Sequence, residues 1–234
     1  MNKIYTKKQA GFTLIELLLA MGFVSVLLIA IAMTVIQIAN IYNRGITLKE
    51  VDQSGRSLAS ELQRSINGSV RFDLSTRYIS KPWGGRLCLG QYSYIWNYGA
   101  DIVSINPSRN VYANAPAGSD IRFVKVIDPN ASYCTDTIKP IDPNGATELL
   151  SVSEHNLAVH SFNVTTTASS IDLKTGQELY SINFLIGTND QNALKIDPLT
   201  NAKVCKTPGE TGSDPTYCSV NQFNIMARAG NADE

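Results

Sequence analysis

The charges along the chain divide it into unequal parts. Between Gln9 and Asn43 the only Asp, Glu, Lys or Arg is Glu16, and Leu17 to Ile36 is an uncharged run whose polar breaks are Ser25 and Thr34. As a helix such a run rises about 30 Å, the thickness of a hydrocarbon layer, so it predicts a membrane segment. After Arg44 the pattern becomes amphipathic. Leu48, Val51, Gly55, Leu58, Leu62 and Ile66 recur at spacings of three and four, while Lys49, Glu50, Asp52, Arg56, Glu61 and Arg64 fall mostly elsewhere around the helix. Asn67-Gly68 is a C-cap signal. One helix is therefore predicted from Phe12 to about Ile66, its first half in lipid and its second half forming the spine of a head. No proline precedes Pro82, and Gly22 is the only flexible point inside the apolar run.

Beyond Gly68 the periodicity changes to two. Leu87 to Tyr98, Ile121 to Ile127, Leu157 to Val164, Leu179 to Ile186 and Val220 to Ala227 are the expected strands, with Lys174-Thr175-Gly176-Gln177 as a hairpin turn. His160, Phe162 and Val164, then Tyr180, Ile182, Phe184 and Ile186, then Phe223, Ile225 and Ala227 each mark one face. Segments 99–120, 128–147 and 187–219, rich in Asn, Asp, Pro, Gly and Ser, are expected loops, with turns at Asp128-Pro129-Asn130 and Asp142-Pro143-Asn144. The fold class that follows is α+β: a long N-terminal helix, transmembrane and then amphipathic, packed on a small, mainly antiparallel β-sheet head with long loops.

Composition narrows the function classes. With 44% apolar and 17% charged residues the chain is neither collagen-like nor disordered. It carries 20 basic and 20 acidic residues, but Lys3, Lys7 and Lys8 precede the membrane segment, so the rest is mildly acidic. Nucleic acid is thus not expected as the main partner. The same lysines place the N-terminus in the cytoplasm and residues after about 44 outside, by the positive-inside rule. Cys88, Cys134, Cys205 and Cys218 then lie where disulfides persist. Four cysteines allow three pairings; Cys205 with Cys218, closing a short loop, and Cys88 with Cys134 are favoured. Zinc is the other use of four cysteines, but no Cys-x-x-Cys pair occurs.

The residues Lys7-Lys8-Gln9-Ala10-Gly11-Phe12-Thr13-Leu14-Ile15-Glu16 resemble the N-terminus of type IV prepilins and type II secretion pseudopilins. The resemblance implies cleavage after Gly11 by a membrane aspartyl prepilin peptidase, methylation of the new N-terminal Phe12, and Glu16 as the fifth residue of the mature chain. It further implies a long N-terminal helix, a β-rich head, and assembly of the helices into a filament. The expected organisation is a leader at 1–11, a transmembrane or filament-core helix at 12–43, its amphipathic half at 44–67 and an exported head at 68–234. Leu58 to Ile66 and the large head are similar to W-type minor pilins and J-type pseudopilins. The helix-breaking proline of many pilins is missing. Chemistry adds its own reason for the glutamate. A carboxylate in hydrocarbon costs up to ~3 kcal/mol and needs an end or a partner; the Phe12 amine freed in a neighbouring subunit would neutralise it. Alternatively, Glu16 simply reaches the headgroups.

Other chemistry has less footing. Ala30-Ile31-Ala32 offers a signal-peptidase site, but Met33 to Ile41 continues as apolar helix beyond it. His155 and His160 are the only histidines, and no Gly-x-Ser-x-Gly or His-Glu-x-x-His pattern occurs, so no catalytic residue and no cofactor is assigned. Tyr92, Tyr94, Trp96 and Tyr98 share one strand face and are read as core or subunit contact rather than a stacking platform for sugars or bases, which for nucleic acid would need interleaved cations. Asn189, Asp190, Asn192 and Asp197 offer oxygens to calcium, without the spacing of an EF-hand loop. The leading expectation is a membrane-inserted filament subunit whose partners are the prepilin peptidase, membrane lipid and other subunits. The alternative is a monomeric exported binding protein, anchored by an intact N-terminus or released after Ala32.

Overall fold

The computed structural model describes residues 11–102, 109–114, 120–150, 156–171 and 176–230. The first element, α1, runs Leu14–Asn67 and is helical throughout. Residues up to Asn43 and residues from Arg44 onward form two separate units. In the first unit every residue from Gly11 to Tyr42 is exposed. Among the described residues, α1 is the one helix long and apolar enough to cross a membrane.

In the second unit the helix buries Thr47, Val51, Gly55, Leu58, Leu62 and Ile66. Five of these are the expected positions, but Leu48 is half exposed and Thr47 takes its place. The reason is geometric, because positions 47, 51 and 55 are spaced by four and lie on one face. At its end α1 is stopped by Ser69, whose amide and hydroxyl both donate to the Ile66 carbonyl at 3.0 and 2.8 Å. Gly68 does not adopt the left-handed conformation its sequence suggested.

The head is α+β, as expected, with its strands in two sheets and a ribbon. A one-turn helix α2 (Leu74–Arg77) leads into β1 (Tyr78–Lys81), β2 (Gly84–Cys88) and β3 (Tyr92–Asn97); β4 (Phe123–Ile127), α3 (Ser132–Thr135) and β5 (Ala146–Glu148) follow. Strands β1 to β5 form one antiparallel sheet in chain order. Where one strand was expected over Leu87 to Tyr98, the chain turns back at Gly90, whose φ of 93° suits glycine. The long β6 (Leu157–Ile171) and β7 (Glu178–Thr188) are paired antiparallel, and β10 (Val220–Ala229) completes a sheet ordered β10-β7-β6. Of the hairpin turn between them, Lys174 and Thr175 lie outside the described residues. Within the segment expected as loop, β8 (Leu194–Ile196) and β9 (Lys203–Cys205) pair as a two-stranded ribbon.

One core joins these layers. Leu58, Leu62 and Ile66 of α1 lie in the same buried cluster as Leu87, Tyr94, Trp96 and Phe123 of the first sheet and Phe162, Val164, Tyr180, Ile182, Phe184 and Ile186 of the second. The Trp96 ring stands 4.3 Å from that of Phe162, and Phe162, Phe184 and Phe223 continue a row of rings across the second sheet. The opposite face of the first sheet is buried too, with Ile95, Val124 and Val126 beneath Ile121, Tyr133 and Ile141. Helix α1 also covers the β10 edge, which would otherwise offer unpaired backbone groups. The Gln63 amide donates to the Met226 carbonyl at 3.0 Å, and the Arg228 amide donates to the Asn67 side chain at 3.0 Å.

Candidate processing and assembly segment

Helix α1 begins with a reciprocal cap built from Thr13 and Glu16. The Thr13 amide and hydroxyl each donate to Glu16 Oε2 at 2.9 Å, and the Glu16 amide donates back to Thr13 Oγ1 at 3.4 Å. This is the pattern Thr-x-x-Glu produces when threonine is the N-cap and glutamate the third helical residue, and it satisfies backbone donors the helix start leaves open. Glu16 therefore has a local partner, which the charge pattern alone did not indicate. Phe12, immediately before the cap, is 90% exposed. Among the described residues nothing lies within 4 Å of where a β-carbon on Gly11 would stand.

From Leu17 to Ile36 the side chains are apolar apart from Ser25 and Thr34, and all are exposed. A helix that is hydrophobic all round is stable only inside lipid or among other helices. Its two hydroxyls are already satisfied, Ser25 by the Met21 carbonyl at 2.8 Å and Thr34 by the Ala30 carbonyl at 2.9 Å, as an apolar medium requires. Position 22 is open space, where the missing side chain lets another backbone approach. The helix passes through Ala30-Ile31-Ala32 without a break.

The remaining candidates sit in the head. Cys88 bonds Cys134, tying the end of β2 to α3, and Cys205 bonds Cys218, tying the ribbon to the segment before β10. Both pairings are those favoured from the sequence. The aromatic stripe belongs to the core: Tyr94 and Trp96 are fully buried, and Tyr92 and Tyr98 pack against the same cluster. The Tyr94 hydroxyl reaches Glu61 and Ser65 of α1, where Glu61 also pairs with Lys125 at 2.6 Å. That cluster holds the Glu61 carboxyl below its ordinary range, chiefly through the hydrogen bond from Lys125. Asp190 and Asp197 spend their carboxylates on their own turns, accepting from the Asn192 amide at 2.9 Å and from the Leu199 amide and Thr200 hydroxyl at 3.1 and 2.7 Å. Among the described residues no three His, Cys, Asp or Glu side chains are grouped to hold a metal ion. His160 is buried at a bulge in β6, its Nε2 3.1 Å from the Thr188 carbonyl; His155 lies outside the described residues.

Two arginines are buried in the head, Arg86 and Arg122. Arg86, inside β2, donates to the Asn110 side chain at 2.8 Å and to the carbonyls of Tyr133, Asp136 and Lys139 at 2.8 to 3.1 Å. Burial pushes its guanidinium down to about 10. An arginine in an otherwise apolar strand was the available signal, but the partner carbonyls belong to residues about fifty positions later.

No family model, curated protein or solved structure matches the chain.

Proposed function

We propose that the chain is a subunit of a prepilin-type filament. It enters the cytoplasmic membrane through Leu14 to Ile41 with residues 1–11 inside, is cut after Gly11 by prepilin peptidase and methylated on Phe12, and assembles with other pilin or pseudopilin subunits by lateral packing of these helices. Its work is interaction, not catalysis. One observation carries the reading: an exposed helical segment begins two residues after Phe12, and up to Asn43 its single charge is Glu16, in the first turn. The open space at position 11 supports it, since no contact among the described residues asks for glycine there.

The cap at Thr13 favours a second reading, an intact membrane anchor in which Glu16 only finishes the helix. Two substitutions separate the roles. Glu16→Gln keeps a side chain able to accept from the Thr13 amide but removes the charge; Glu16→Ala removes both. Pairing with a neighbour's terminal amine predicts that both variants lose filament incorporation. Normal incorporation of Glu16→Gln beside a defective Glu16→Ala assigns the residue to capping alone.

A further inference from the structure

The end of α1, the last residue of α2 and the turn between β2 and β3 enclose a recess of about 600 Å³. All its walls belong to residues 44–234. Three cations, Arg64, Arg77 and Lys125, and one carboxylate, Glu61, converge on it. Glu61 is already engaged, holding Lys125 Nζ at 2.6 Å and the Tyr94 hydroxyl at 3.1 Å, while Lys125 lies 3.7 Å from the centre of the Tyr92 ring. That pair is neutral and leaves the two arginines in surplus. Arg64, exposed in the last turn of α1, has no ion pair or side-chain hydrogen bond among the described residues. Arg77 Nη1 is buried without a hydrogen-bond partner. That nitrogen is closed off from the recess, so Arg77 acts on an occupant as a nearby positive charge, while Arg64, which is exposed, is the guanidinium free to pair with it. Val70, Leu89 and Pro129 give the recess an apolar side.

We propose that this recess binds a carboxylate presented by a partner polypeptide next to an apolar side chain. Guanidinium groups match carboxylate oxygens in a paired, planar geometry. A dianionic phosphate is the poorer fit, because α1 turns its negative C-terminal end, at Gly68 and Ser69, toward the same space. Val70, Leu89 and Pro129 then accept the neighbouring apolar group. The recess contains neither Gly11 nor Glu16, so this site stands or falls independently of the filament reading.

The test is an NMR titration of the full chain in an uncharged detergent, with N-acetyl-leucyl-glutamate α-amide as the probe. Saturable binding is expected, at least tenfold weaker for the glutamine counterpart of the peptide and at least tenfold weaker in Arg64→Gln and Arg77→Gln. Lys195→Gln, outside the recess, leaves it unchanged. Arg64 is exposed, so its variant decides the matter even where Arg77→Gln disturbs folding. Equal binding of the two peptides, no saturation, wild-type affinity in Arg64→Gln, or tighter binding of inorganic phosphate overturns the proposal.

Discussion

The Phe223 ring on β10 stands where a β-carbon at position 55 of α1 would lie. Glycine in mid-helix costs about 1 kcal/mol against alanine, so its presence there reflects the close approach of helix and sheet. Gly55→Leu is expected to lower unfolding stability by about 1 to 3 kcal/mol through overpacking. In a Phe223→Ala background the same substitution should cost less, because the two sites share the space. Denaturant unfolding of the four proteins in this cycle measures the coupling; simple additivity would show that the contact is unimportant.

Burial makes His160 one source of acid sensitivity in the head. Burial, with Lys203 nearby, holds its imidazole down to about 4, against roughly 6.5 in an unfolded chain. Above pH 6.5 both states are neutral and nothing is gained or lost. As pH falls from 6.5 toward 4 the unfolded state binds a proton the folded state refuses, and stability drops by up to about 1.4 kcal/mol per pH unit. His160→Gln should flatten that window. The carboxylates Glu61 and Asp128, both held below their ordinary range, act lower; taking the difference between wild type and variant removes them. Parallel stability curves from pH 7 to 4 would refute the assignment.

The two disulfides should differ in worth. Cys88–Cys134 closes a separation of 46 residues and Cys205–Cys218 one of 13. Chain-entropy reasoning assigns about 4 and about 3 kcal/mol respectively. Paired Cys→Ser variants, followed by thermal unfolding, are expected to show the larger loss for the first pair, with the second loss centred on the β8–β9 ribbon.

Arg86→Lys should cost more than its conservation of charge suggests. An ammonium cannot reproduce a planar fork that serves Asn110 and three carbonyls at once. Each buried acceptor left open costs about 1 to 3 kcal/mol, so a loss of at least 2 kcal/mol is expected in denaturant unfolding, together with faster hydrogen exchange in residues 132–139.

What the sequence made legible was whatever depends on local period. The two characters of α1, the pairing of β6 with β7 and the inward set of Phe162, Phe184 and Ile182 all follow from spacing. Short elements were not legible. Strands β1, β5, β8 and β9 have only three or four residues and owe their form to partners, as Leu194 does to Cys205. The β2–β3 hairpin was hidden because Leu89 and Tyr92 flank so brief a turn that the apolar run reads as continuous. At the candidate site, Thr13 and Glu16 carry the Thr-x-x-Glu capping pattern in the sequence itself. Arg64 and Arg77 meet only because α1 and α2 both end at the same recess.

In the proposed filament role, cleavage after Gly11 makes Phe12 the start of the mature chain. Intact mass and N-terminal peptide analysis of the protein purified from its own cell membranes test this directly. The expected result is a chain beginning with N-methylated Phe12. A chain that still begins at Met1, or one that begins at Met33, would contradict it.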